Sequence, residues 1–215
     1  AEVIDRFSVG AVPLKKKAEG IPPLPDVTAD EQVTAGAPYA LTIGTVEPRK
    51  DHPLLVRAFD AVAAHDPDLR LVIAGPDGWG SDALAEAVAA ATHRDRIVRL
   101  GYVDDEARAG LLRGARLFVF PSVYEGFGLP PLEAMRAGVP VVATAAGALP
   151  EVLGDAALLV PVGDADALAG ALRTAAVDDF ERARLVVAGR ARAGLYSWAG
   201  CAGGLVDLYR TAMTS

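Results

Sequence analysis

Two stretches of the chain carry residue types that could do chemistry together. The first is Gly44-Thr45-Val46-Glu47-Pro48-Arg49-Lys50-Asp51-His52. It sets two adjacent cations on a glycine-led loop just ahead of a helix start. A compact ammonium beside a forked guanidinium suits an anion such as a diphosphate. A solvated surface loop could carry the same pair without a task, and composition helps to separate the two readings. The lysines are Lys15, Lys16, Lys17 and Lys50, among 21 basic residues in all. Lys50 is therefore the only lysine between residues 18 and 215, a stretch that otherwise uses arginine, which favours a binding role.

The second stretch is Pro121-Ser122-Val123-Tyr124-Glu125-Gly126-Phe127-Gly128-Leu129-Pro130-Pro131-Leu132-Glu133-Ala134-Met135. With a helix starting no earlier than Pro130, Glu125 falls on the loop and Glu133 in the first helical turn. The amides of Gly126, Phe127, Gly128 and Leu129 then lie free beside a helix N-terminus, where an oxyanion or a sugar hydroxyl is well received. Carboxylates only accept hydrogen bonds, so the vicinal diols of a ribose and of a sugar are natural partners for Glu125 and Glu133. Singly, each has a plainer explanation: Glu133 complements a helix dipole, and Glu125 precedes a turn glycine.

Other residues say less. Gly75-Pro76-Asp77-Gly78-Trp79-Gly80-Ser81-Asp82 fits neither G-x-G-x-x-G nor a P-loop. A tight turn with Ser81 or Asp82 as helix cap accounts for it equally well. Ala145-Ala146-Gly147-Ala148-Leu149-Pro150-Glu151 puts small residues and then a short helix near the same edge. His52 reads as a structural residue at a helix start, His65 and His93 as surface residues, and Cys201 as a small core residue. Lys15 to Lys17 read as a solvated linker that could face a membrane in a longer parent chain.

The elements that must position these residues follow from periodicity. Short apolar, β-branched runs predict strands over 39–43, 69–73, 97–100, 117–120, 139–143 and 157–160. Helical patterns lie between them over 54–64, 82–92, 104–113, 131–137 and 166–176. A tail over 180–213 reads as two helices broken near Ser197. The fold class is α/β: a Rossmann-like open parallel sheet with helices on both faces, whose ligand sits outside the carboxyl ends of the strands. Residues 1–38, with Ile21-Pro22-Pro23-Leu24-Pro25, read as a connecting segment and 39–215 as the domain.

The 215 residues carry a net charge of -7, with 52% hydrophobic and 23% charged residues. That balance describes a globular chain and argues against nucleic acid held by a basic surface. The lone cysteine excludes an internal disulfide framework and a multi-cysteine metal site. No apolar run approaches the ~20 residues that span a bilayer, and the start lacks signal-peptide character. A chain beginning at Ala1 is expected to be a piece of something longer.

The E-x7-E pair inside Pro-Ser-x-Tyr-Glu-Gly-Phe-Gly-Leu-Pro-x-Leu-Glu-Ala-Met, with Arg136-Ala137-Gly138-Val139-Pro140-Val141-Val142-Ala143, Gly154-Asp155-Ala156-Ala157-Leu158-Leu159-Val160 and the Gly44 to Lys50 loop, resembles the donor-binding, C-terminal half of group 1 (family 4) retaining glycosyltransferases of GT-B fold. The likeness runs from about Tyr39 to the end. It implies a hexosyl transfer, mannosyl or glucosyl, from a nucleotide-diphospho-sugar to a sugar or lipid-linked acceptor, with no cofactor and no metal ion. By position it makes Glu133 the ribose ligand and Glu125, with Lys50 and Arg49, the catalytic group. Glu125 would meet the donor sugar, the amides of Gly126 to Leu129 the sugar and phosphate, and Arg49 and Lys50 the departing diphosphate. Gly44 and Thr45 would line the phosphate loop, and backbone from Leu100 to Val103 would border the base.

Many relatives carry arginine where this chain has Thr45, which leaves Arg49 as the nearest substitute. The resemblance also implies a partner domain, the N-terminal acceptor half of the parent chain, without which the donor half transfers little sugar. It places the parent in the cytoplasm, peripheral at the inner membrane face through acceptor or linker. The alternatives are a non-catalytic nucleotide-binding module that keeps the fold and an enzyme of nucleotide-sugar epimerase type. The intact Glu125, Glu133 and Lys50 argue against the first, and the E-x7-E segment against the second.

Overall fold

Each predicted strand is realised, and all pair in parallel. The computed structural model describes residues 36–214, so the expected connecting segment lies outside the described residues as far as residue 35. The strands are β1 (Tyr39–Ile43), β2 (Arg70–Ala74), β3 (Ile97–Gly101), β4 (Leu117–Phe120), β5 (Val141–Thr144) and β6 (Leu158–Val160), in the spatial order β3-β2-β1-β4-β5-β6. The helices are α1 (His52–Ala63), α2 (Ser81–Ala90), α3 (Asp105–Gly114), α4 (Leu129–Ala137), α5 (Leu149–Leu153), α6 (Ala165–Val177), α7 (Asp179–Gly194) and α8 (Trp198–Thr214).

The near-continuous apolar strands serve two cores, because successive side chains leave a strand on opposite faces. Tyr39, Leu41 and Ile43 of β1 join Phe118 and Phe120 of β4 in one cluster, beneath α3, α4, α5 and α7. Ala40 of β1 and Leu117 and Val119 of β4 join the other, with Leu54, Leu55 and Phe59 of α1 and Leu168 and Leu172 of α6.

Boundaries differ from the sequence pattern where local hydrogen bonds intervene. Strand β5 starts at Val141 rather than Val139, because the Val139 amide closes the end of α4 on Ala134 O (2.9 Å) and Pro140 has no N–H to give. Leu69 belongs to the turn before β2, its amide held by Asp66 Oδ1 at 3.2 Å. Helix α1 begins at His52, two residues before the apolar period, because Asp51 caps it with its carboxylate on Leu54 N. Helix α2 stops at Ala90, and the amides of Thr92 and His93 go to Asp60 instead.

Helix α4 starts at Leu129, ahead of the double proline. Gly128 serves as N-cap in the left-handed region (φ 105), and the prolines fall where helix amides lack partners in any case. Glu133 is therefore the fifth helical residue, one position beyond the first turn where the sequence reading put it. The break near Ser197 is present, between α7 and α8.

Two single-residue readings are corrected. Cys201 is exposed, not a core residue, because α8 is exposed along its length. His93 is only partly at the surface, with Nδ1 2.8 Å from Asp60 Oδ1; His65 is exposed as read.

Candidate functional site

The strand order runs outward from β1 in one direction and from β4 in the other. Connections that diverge to opposite faces leave a crevice at the carboxyl ends of these two neighbours. The loop after β1 carries Arg49 and Lys50 and the loop after β4 carries Glu125, so residues about 75 apart in sequence meet there. The loops are tied by their backbones, Val123 N donating to Arg49 O at 2.8 Å.

Three donors converge on one oxygen. Lys50 Nζ lies 2.6 Å from Glu125 Oε1, Arg49 Nη1 2.9 Å, and Ser122 Oγ 2.9 Å. Arg49 also donates through Nε to Glu47 Oε2 at 2.8 Å. Lys50 is 8% exposed, and its ammonium stands 4.1 Å from the centroid of the Phe120 ring. Burial pulls the Lys50 ammonium below its ordinary pKa, and the hydrogen bond to Glu125 opposes that pull. Arg49, whose side chain is 47% exposed, reaches the same carboxylate from the solvent side. Oε2 of Glu125 takes none of these three donors.

The support beneath Glu125 explains the small residues after β5. Ala148 N donates to Glu125 O at 3.0 Å, and Thr144 Oγ1 donates to Ser122 O. Gly147 has φ +53, and a Cβ there would stand 2.2 Å from Glu125 O. Only glycine lets this turn approach so closely.

His52, read as structural, is fully buried with no hydrogen-bond partner on Nδ1. Its pKa is lowered to about 4, first by burial and then by Lys50 and Arg99. A neutral imidazole thus lies behind the cation pair. Gly44 and Thr45 are half-buried on the same loop. The glycines after β2 serve packing rather than a free cradle: a Cβ on Gly78 would come within 2.7 Å of Val46 O. Ser81 contributes there by linking Asp77 to the Gly78 amide rather than by capping α2, whose N-cap is Gly80.

Among the described residues, the amides of Gly126, Phe127, Gly128 and Leu129 donate to no protein acceptor. The Phe127 ring packs edge to face on Tyr196, with the centroids 5.5 Å apart. Val103, on the loop after β3, is half-buried against the core. Glu133 does not join the Glu125 cluster; its carboxylate is paired with Arg108 of α3. Among the described residues no group of three or more His, Cys, Asp or Glu side chains could hold a metal ion, and no helix is long and apolar enough to cross a membrane.

Sequence reasoning missed Ser122 as a ligand of Glu125, although its three-residue spacing across a turn was a usable signal. It also missed Arg108, which nothing local in the sequence connects to Glu133.

Comparison with known proteins identifies the family and the fold. The family model described as glycosyl transferases group 1 matches residues 27–192. O-antigen chain mannosyltransferase B of Escherichia coli is 41% identical over 174 residues, 80% of this chain and 45% of that protein. The solved sucrose-phosphate synthase of Thermosynechococcus elongatus superposes with a TM-score of 0.74 at 33% identity, over 86% of this chain and 48% of that one. The C-terminal domain of a glycosyl transferase group 1 family protein (LpcC) from Francisella tularensis superposes with a TM-score of 0.67 at 24% identity, over 79% of this chain and 92% of that one. The chain spans about half the length of the curated relatives it matches. With its parallel sheet, its switch-point crevice and its E-x7-E pair, the chain belongs to the group 1 glycosyltransferases, as a C-terminal domain of GT-B fold.

Proposed function

We propose that this domain binds the nucleotide-diphospho-sugar donor of a retaining, metal-independent hexosyltransferase, one that moves a mannosyl or glucosyl unit to a sugar or lipid-linked acceptor. The observation that carries the reading is the convergence of Lys50, Arg49 and Ser122 on Glu125 at the switch-point crevice. Two cations held at the carboxyl ends of the strands stand where a diphosphate would sit. Lys50 is fixed by burial and Arg49 reaches in from the solvent, so both can stabilise negative charge that grows as the diphosphate departs.

Glu125 presents its second oxygen to the hydroxyls of the donor sugar. The unpaired amides of Gly126 to Leu129, at the start of α4, receive sugar and phosphate oxygens. Gly44 and Thr45 flank the phosphates, Val103 borders the base, and Glu133 takes the ribose diol. No cofactor enters the scheme. The acceptor and the remainder of the reacting centre belong to an N-terminal half of the parent chain, so the domain alone binds donor and transfers little sugar.

Calorimetric titration of the 215-residue chain with UDP, GDP and ADP tests the reading. Binding of at least one, weakened in Lys50→Ala, is the expected result. A folded domain that binds none of the three refutes it.

A further inference from the structure

The E-x7-E pair is not served symmetrically. Among the described residues Glu125 has three side-chain donors and a buttress of backbone contacts, whereas Glu133 has one partner for its carboxylate, Arg108 Nη2 on Oε2. As the fifth residue of α4 it lies beyond the free amides of the first turn. The cation one turn along its own helix, Arg136, is spent elsewhere, donating to Ala193 O at 3.2 Å and Tyr196 O at 3.0 Å. The orientation of the Glu133 carboxylate therefore depends on a residue from another element.

That element is tied to the crevice. Helix α3 starts directly after the loop that carries Val103, and Asp104 of that loop caps it by accepting from Ala107 N at 2.9 Å. Arg108 sits one turn into α3, so the capped helix start sets where its side chain leaves the backbone, and its guanidinium reaches Glu133 of α4 from there. We propose that Arg108 is a positioning residue that makes the site selective for ribose over deoxyribose in the donor nucleotide. The inference rests on the donor-site reading above, in which Glu133 faces the ribose.

The guanidinium holds Oε2 and leaves Oε1 open as an acceptor for sugar hydroxyls, since a carboxylate has lone pairs for several donors. An unpaired glutamate on a partly exposed helix face would sample several rotamers and would have to be ordered on binding. Held in one rotamer, it gives a ribose 2′-hydroxyl a ready acceptor that a deoxyribose does not use.

The test measures dissociation constants for whichever of UDP, GDP and ADP binds best, for its 2′-deoxy counterpart and for inorganic pyrophosphate. Wild type, R108A, R108K and E133Q are compared, with thermal unfolding to verify that each is folded. Wild type should prefer the ribonucleotide. In R108A the ribonucleotide should weaken about five-fold, a modest factor because both partners are partly exposed, while the deoxynucleotide, which keeps only its 3′-hydroxyl for Glu133, weakens less and pyrophosphate holds its affinity. R108K should recover part of the preference, and E133Q should lose it.

An R108A protein that keeps the preference while E133Q loses it overturns the role of Arg108 and leaves the donor site standing. Equal weakening of all three probes in R108A also overturns it, since that marks a structural effect. An E133Q protein that keeps the preference, or a wild type without one, removes Glu133 from the ribose and the inference with it.

Discussion

Replacing Lys50 with methionine removes the ammonium but keeps a stem that can pack on Phe120. Both side chains of the Lys50–Glu125 pair are about nine-tenths buried, at 10% and 11% exposure, so solvent and salt screen the pair little. Breaking a buried pair outright costs about 3–5 kcal/mol when the survivor is left alone. Here Glu125 keeps Arg49 and Ser122, so Lys50→Met should cost only about 1–2 kcal/mol. Glu125→Gln removes the anion from a buried ammonium whose other neighbour is an aromatic ring, and should cost about 2–4 kcal/mol. The double variant should recover about 1.5–3 kcal/mol of the summed loss, the coupling expected of a close charge pair.

The same variants should split in affinity for inorganic pyrophosphate. Glu125 already occupies both cations as an internal anion. Lys50→Met should therefore weaken pyrophosphate about 10–100-fold, the worth of one charge-assisted hydrogen bond, whereas Glu125→Gln should bind it at least as tightly as wild type. Urea unfolding gives the stabilities and calorimetry the affinities. A coupling below about 0.5 kcal/mol, or parallel weakening of pyrophosphate by both single variants, would refute the claim that Glu125 holds the diphosphate cations.

Two more outcomes follow from the support of the site. The pKa of His52 falls from 6.5 to about 4 on folding, so the unfolded chain binds the extra proton between those values. Stability from this group is thus present above pH 6.5 and is lost as pH falls toward 4, by about 3 kcal/mol in all. His52→Leu should flatten that part of a stability–pH curve, and an unchanged slope counts against the buried neutral imidazole. Gly147→Ala meets both a positive φ and the Glu125 carbonyl, so it should destabilise by about 1–3 kcal/mol and weaken nucleotide binding; a thermal scan showing no loss of stability would contradict the close approach.

Much of this was legible in the chain. Alternating β-branched runs and capped amphipathic stretches specify the element types, because side-chain period and capping chemistry act over a few residues. The errors fell where backbone amides were diverted locally, as at Val139, Leu69 and Leu129. Cys201 was misplaced because periodicity shows that a helix has an apolar stripe, not that anything covers it.

Lys50, Arg49, Glu125 and Glu133 could be singled out from type and spacing alone, since Lys50 is a lone lysine between residues 18 and 215 and the two glutamates flank a glycine loop at a helix start. Their relations were another matter. That Lys50 and Arg49 meet Glu125 depends on β1 lying beside β4. That Glu133 is held by Arg108, and that Gly147 braces Glu125, depends on helices and turns brought together by the sheet. Periodicity and capping are short-range and can be read along the chain. Contacts between residues 25 or 75 apart arise only when strand order closes the crevice, and the tertiary structure alone decided them.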